Sequence, residues 1–361
     1  MKTLLALALG AMLLTPAVAL AQEDKVLNLF NWSDYRAEDT LDNFTKATGI
    51  KVVESNYDSN EMLEGKLVAG SSGFDVVVPS GFFLQHQIPI NLYQKLDKSK
   101  LPNLKNMDPA IMKATEAFDP GNLYAVDYMW GTTALGYNVD LIKKRMPDAP
   151  LDSWDLLFKD AAKFADCGIT VLDAPAEVVA IALNYLGLPA NSEKPEDLKK
   201  AEDLLTSIKP YIRKFDSSGY IDDLANGDAC LSIGYSGDVY IAKSRAADAK
   251  KGVNIAYVIP KEGTIEWFDM LAIPADAPHP ENALAFINYI MDPKVTADIS
   301  NTVFYANGNK AAFDLTSKDI TGDPNIYPPA DIAAKLVPLQ AHSDAFTRDL
   351  TRTWTRIKTG Q

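Results

Sequence analysis

Three short stretches set an aromatic ring beside an aspartate: Trp32-Ser33-Asp34-Tyr35, Tyr235-Ser236-Gly237-Asp238 and Trp267-Phe268-Asp269. Each lies inside or just after an apolar, strand-like run. Carboxylates next to π faces suit an organic ammonium ion, because its N–H donors need acceptors and its alkyl part needs a flat apolar wall. Ring faces also attract the cation, by about 0.5 to 2 kcal/mol each. An aspartate after a strand is equally a common turn or N-cap residue, and that description suits Asp58 and Asp173. Trp130, Trp154 and Trp354 are assigned to packing or to a hinge.

Paired carboxylates also serve as acid and base in glycoside cleavage. The chain has three histidines, His86, His279 and His342. None stands with a serine or cysteine in a recognisable catalytic context, and there is no HExxH, GxSxG or phosphate loop. An enzyme is therefore not expected, nor is a metal or a cofactor.

The elements that would position these residues start after an N-terminal leader. Lys2, an apolar run from Leu4 to Leu14, the helix breaker Pro16 and then Ala19-Leu20-Ala21 describe a cleaved signal peptide over residues 1–21. A retained membrane anchor is the alternative, but the run is short for a span and no later segment is long and apolar enough for one. Removing residues 1–21 from 361 leaves 340, enough for two domains with separate cores. Removing Lys2 from 35 basic residues against 48 acidic ones makes the mature balance −14. With no clustered Lys/Arg run, nucleic acid is excluded as a partner. The acidity is explained by solubility of a secreted monomer and favours cationic ligands only weakly.

Cys167 and Cys230 are the two cysteines, and export places them in an oxidising compartment. A disulfide is expected, closing a loop worth about 3 to 4 kcal/mol on the chain-entropy model. Two buried free thiols are the alternative.

Strand and helix alternate from the mature start. Strands are expected at Val26–Phe30, Ile50–Glu54 and Asp75–Val78, with helices at Glu38–Ala47, ended by Gly49, and Asn60–Ala69, ended by Gly70. This pattern argues for a parallel α/β sheet, in which ligands bind beyond the carboxyl ends of strands. Trp32-Ser33-Asp34 and Pro79-Ser80 fall there. Asp127–Tyr137 reads as a strand crossing to a second lobe and Val253–Pro260 as a second crossing. Further helices are expected at Trp154–Phe164, Glu177–Leu186, Leu198–Ile208, Glu281–Met291 and Phe346–Lys358, with strands at Ile169–Leu172, Ala229–Gly234 and Phe268–Pro274. Two crossings without a long linker imply two lobes around a cleft. Residues 26–130 with 259–310 would form one lobe, and residues 131–258 with 311–361 the other.

Several segments together resemble a known family: Asn31-Trp32-Ser33-Asp34-Tyr35, Asp58-Ser59-Asn60-Glu61, Val78-Pro79-Ser80, Leu96-Asp97-Lys98-Ser99-Lys100-Leu101-Pro102, Leu224-Ala225-Asn226-Gly227 and Thr353-Trp354-Thr355-Arg356-Ile357-Lys358. They are similar, in order and across the mature chain, to the periplasmic putrescine/spermidine-binding proteins of ABC importers. The resemblance implies a type II-like periplasmic-binding-protein fold that closes on a polyamine and presents it to a membrane permease and its ATPase. It implies an aromatic box of Trp32, Tyr35, Tyr235 and Trp267, with Tyr305 nearby. It implies amine-binding acids at Asp34, Glu177, Asp238 and Asp269, hydroxyl contacts from Ser33, Ser80 and Ser217, and Leu339 against the pocket. Glu177 also sits near a helix start, where an acid complements the dipole.

The chain departs from that pattern at two charged positions. Arg36 stands where the family usually has an apolar residue, and Asp127 where it has proline. Either the two pair near the cleft rim, or Asp127 adds an acceptor for a further amine. Tyr235 and Trp267 stand where Trp and Phe are sometimes found, which alters pocket shape more than charge. Agmatine, cadaverine, an amino acid or iron remains the alternative ligand; an amino-acid site needs a group for the carboxylate, and iron sites favour histidine, tyrosine and carboxylate clusters.

Overall fold

The computed structural model describes residues 23–360, so the expected leader at 1–21 lies outside the described residues. β1 (Val26–Trp32), β2 (Lys51–Tyr57) and β3 (Val76–Val77) form a parallel wing with β1 in the middle. Helices Thr40–Thr48 and Asn60–Val68 make its crossovers. The first ends at Gly49, whose φ of 76° is the left-handed C-cap that glycine adopts without steric cost.

β4 (Ala125–Asn138) is a 14-residue strand, buried everywhere except at Trp130. Its sequence is almost continuously apolar or threonine, as a strand covered on both faces requires. β5 (Ile169–Val171), β6 (Lys214–Phe215) and β7 (Leu231–Tyr235) form a second parallel wing with β5 in the middle. β8 (Ile255–Val258) is followed by β9 (Thr264–Ala272), and the short β10 (Leu336–Pro338) lies parallel to β9.

The sheet order is β2-β1-β3-β9-β4-β7-β5-β6, with β10 on β9 and β8 on β4. β4 and β9 run antiparallel from Ala125↔Ala272 to Thr133↔Ile265, and this pair joins the two wings. From Thr133 onward the same β4 strand pairs with β7, through Thr133↔Tyr235 to Tyr137↔Leu231. Thr133 is thus where the crossing pair and the second wing meet. The two wings and the pair between them make the two-lobed α/β architecture expected from the sequence.

The second crossing is β9 rather than residues 253–260. β8 pairs only with the far end of β4, Leu135 to Asn138. A short apolar run does not reveal which partner it will find, and here the longer run after Gly263 takes the central place. The helix expected over 154–164 is a single turn, Asp155–Phe158, followed by a 3-10 turn at Ala161–Lys163. Tertiary contacts hold its start: the Trp154 indole is fully buried and its N–H donates to the Gly263 carbonyl at 2.9 Å. Helix Asp344–Thr359 packs on helices Pro175–Tyr185 and Pro195–Ile208, with its own Trp354 buried.

Cys167 and Cys230 form a disulfide with Cα atoms 5.5 Å apart. It ties together the entries of β5 and β7, 63 residues apart in sequence. Replacing both cysteines with serine removes that constraint on the unfolded chain, so urea denaturation of the double variant is expected to show a loss of about 3 to 4 kcal/mol.

Candidate functional site

Strand ends and helix starts converge on one cleft. Trp32 ends β1, Tyr57 ends β2, and Ser80 is the N-cap of helix Gly81–Gln87 just after β3. From the second wing, Tyr235 ends β7 and caps helix Ser236–Asp248, whose first turn carries Asp238. Glu177 stands in the first turn of helix Pro175–Tyr185. Trp267 and Asp269 project from β9. Together they line one cleft between the two wings.

Of the residues expected at the site, Trp32, Ser33, Tyr35, Ser80, Glu177, Ser217, Tyr235, Asp238, Trp267, Asp269 and Tyr305 line this cavity. Two close approaches make the wall. Gly237 lies so near the Tyr305 ring and the Val303 carbonyl that a Cβ there would overlap both. A Cβ on Gly131 would sit 2.9 Å from the Trp267 ring. The rings meet mostly edge to face: Tyr235 and Trp267 at 5.8 Å and 90°, Trp267 and Tyr305 at 5.4 Å and 65°, Tyr35 and Tyr305 at 5.2 Å and 82°. Edge-to-face packing brings positive ring edges onto negative faces and fixes the box without filling it.

Three carboxylates are set into this wall, and each takes hydroxyl donors on both oxygens. Asp269 accepts from Ser80 Oγ at 2.6 Å and from Tyr35 Oη at 2.8 Å. Glu177 accepts from Thr133 Oγ1 at 2.7 Å and Tyr235 Oη at 3.1 Å. Asp238 accepts from Tyr305 Oη at 2.6 Å and Tyr220 Oη at 2.9 Å. Lysine, arginine and histidine are absent from the described residues that line the cavity.

Burial pushes Asp269 and Glu177 each up to about 7 and Asp238 to about 6, against the hydroxyl donors, which favour the ionised form. The neighbouring charges of Asp238 on Asp269, of Asp269 and Glu61 on Glu177, and of Asp34 on Asp238 raise these values further. Three acids held this way lack only a cation.

The remaining expected residues stand elsewhere. Asp34 does not line the cavity; it sits in a left-handed turn with φ 54° and pairs with Arg245 at 3.0 Å. Arg245, on helix Ser236–Asp248, also holds Asp222 at 3.0 Å. Leu339 is buried after β10 and does not reach the cavity lining. Arg36 and Asp127 do not pair. Arg36 grips Glu54 instead, with Nε 2.9 Å and Nη2 2.6 Å from Oε2. Asp127 is buried within β4 against Gly308 and Ile111, outside the cavity lining, where burial pushes its carboxyl well above the usual range. The half-buried guanidinium in the segment after β1 finds a carboxylate on the neighbouring β2, while a carboxyl inside a covered strand cannot reach it.

Sequence reading missed Tyr57, Ser218 and Ile221 and assigned Asp58 to a turn, yet all four line the cavity. Tyr57-Asp58 repeats the pairing of ring and aspartate at a strand end, a signal that was present. Thr133 and Tyr220 act one step behind the surface and Arg245 holds Asp34 outside it, and nothing local in the sequence marks them.

Residues 39–328 match the family of bacterial extracellular solute-binding proteins, and the chain belongs to that family. It is 52% identical to the putrescine-binding periplasmic protein SpuD of Pseudomonas aeruginosa, covering 100% of this chain and 98% of that one. It is 51% identical to the putrescine-binding periplasmic protein PotF of Escherichia coli, with the same coverage. Among solved structures, the spermidine/putrescine ABC transporter substrate-binding protein PotD of Streptococcus pneumoniae superposes with a TM-score of 0.76 at 27% identity, covering 93% of this chain and 99% of that one.

Carboxyls raised above their unfolded value near 4 bind more protons folded than unfolded between that value and about 7. The stability they contribute is therefore complete below about pH 4 and disappears as pH rises through about 6 to 7. The ligand-free protein is expected to lose stability from pH 5 to 8 in urea titrations, and Asp269→Asn to flatten that slope.

Proposed function

We propose that this chain is a periplasmic solute-binding protein that captures a protonated aliphatic polyamine between its lobes and delivers it to an ABC importer. The observation that carries this reading is the cleft whose lining has four acids, Asp58, Glu177, Asp238 and Asp269, with ring walls and no basic side chain. Unpaired buried carboxylates are costly, and a diamine supplies the missing charge at both ends of an apolar chain. An amino acid would bring a carboxylate into a lining without arginine or lysine. Iron would find no histidine, and among the described residues no group of acids, histidines and cysteines is placed to hold a metal.

In this reading the acids hold the ammonium ends and the rings of Trp32, Tyr35, Tyr235, Trp267 and Tyr305 lie along the methylenes. Charge-assisted hydrogen bonds contribute about 1.5 to 3 kcal/mol each, and micromolar affinity needs about 8 kcal/mol net, so a few bonds with ring contacts suffice after ordering costs. No covalent step is involved, and the protein is a carrier rather than an enzyme. The lobe of 26–130 with 259–310 and the lobe of 131–258 with 311–361 would move about β4 and β9. The Asp34–Arg245 pair then spans the two. Relatives bearing the periplasmic description, and the leader read in residues 1–21, place the work in the periplasm. Among the described residues no helix is long and apolar enough to cross a membrane.

A thermal-shift panel separates the ligands: putrescine, cadaverine, agmatine or spermidine should raise Tm, and glucose, glutamate and ferric iron should not. In calorimetry, Asp269→Asn should weaken polyamine binding at least about ten-fold while the circular dichroism spectrum stays unchanged. Unaltered affinity would remove Asp269 from the site.

A further inference from the structure

Trp267 Nε1 donates to Thr133 Oγ1 at 3.1 Å, and Thr133 Oγ1 lies 2.7 Å from Glu177 Oε2. Indole N–H can only donate, and a threonine hydroxyl carries a single proton. With the indole donating to it, the hydroxyl gives its own proton to Glu177. The direction of the chain is therefore fixed by chemistry: Trp267 to Thr133 to Glu177.

We infer that Thr133 is a positioning residue for ligand capture, holding Glu177 ionised and aimed into the cleft through a relay that begins at Trp267. The inference rests on the polyamine reading. Thr133 is fully buried and does not line the cavity, so it acts through Glu177 rather than on the ligand. It stands where β4 leaves β9 for β7, directly opposite both Ile265 and Tyr235. Trp267 is the diagonal neighbour on the same face, close enough for a long side chain to reach. The hydroxyl thus ties the crossing pair to a carboxylate on the second wing. The position is specific to this box, since a phenylalanine in place of Trp267 has no N–H to set the threonine proton.

Glu177 depends on such donors because its surroundings oppose its charge. Asp269 on β9 and Glu61 on helix Asn60–Val68 are the acids acting on it, Tyr235 on β7 supplies the second donor, and Tyr257 on β8 is a further titratable neighbour. Among the described residues that line the cleft with it, none is an arginine or a lysine. Loss of the Thr133 proton leaves one oxygen of a buried carboxylate unsatisfied and favours the protonated, neutral form, which accepts an ammonium poorly.

The test is calorimetry with putrescine from pH 5.5 to 8.5 on wild type, Thr133→Val and Thr133→Ser. Valine keeps the shape and removes the hydroxyl; serine keeps the hydroxyl. Wild type should bind, Thr133→Val should bind about ten-fold or more weakly at pH 7 with its pH midpoint moved upward, and Thr133→Ser should retain both properties of wild type. Wild-type affinity and midpoint in Thr133→Val would overturn the relay. So would equal weakening in Thr133→Ser, which would assign the effect to packing of the methyl group. If Thr133→Val does not fold, Thr133→Ala against Thr133→Ser gives the same comparison. Failure of wild type to bind any di- or triamine would instead overturn the polyamine reading itself.

Discussion

The structure is organised around the problem of keeping negative charge inside a protein. Asp269, Glu177 and Asp238 sit against aromatic rings in a cavity lining that offers them no positive side chain. A buried carboxylate without a partner costs several kcal/mol or takes up a proton. Here each one is held by two hydroxyl groups, which satisfy its oxygens without neutralising it. Arginine would have solved the burial problem and occupied the ligand's place. Hydroxyl donors leave the charge available, so the cation that arrives completes the electrostatics of the fold.

That arrangement explains why the donors come from distant elements. Tyr35 follows β1, Ser80 caps the helix after β3, Thr133 lies on β4 and Tyr235 ends β7. Tyr220 and Tyr305 come from a helix start and from the segment after helix Pro293–Val303. The crossing pair β4 and β9 is hydrogen-bonded to both wings, so the acid on β9 and the threonine on β4 lie where the two halves of the site are brought into register. Tyr35, Tyr235 and Tyr305 serve twice, with an edge or face toward a neighbouring ring and an O–H toward a carboxylate. One residue type therefore builds both the apolar wall and its charged ends.

Much of this was legible along the chain. Alternating strands and helices indicated parallel wings, and aromatic-aspartate pairs at or within strand-like runs marked Trp32, Asp238 and Asp269, because those signals are local in sequence. Asp34 carried the same signal and went elsewhere: its turn directs it to Arg245, a residue more than two hundred positions away. Arg36 and Asp127 looked like partners because both were unusual, yet Arg36, just after β1, reaches Glu54 on β2, and Asp127 is enclosed within the sheet. The second crossing was misplaced for a similar reason, since β8 and β9 are comparable apolar runs and only pairing tells them apart.

The sequence by itself determined residue chemistry and local geometry: which side chains carry charge, which runs prefer extended backbone, where glycine can end a helix, and that two cysteines were available to pair. Tertiary structure alone decided which of those charges share a cavity, which are neutralised by arginine, and which hydroxyls complete them. The physical reason is range. Backbone preference acts over a few residues, whereas burial and hydrogen bonding act through space, so Thr133, Tyr220 and Arg245 acquire their roles only when the sheet brings distant strands together.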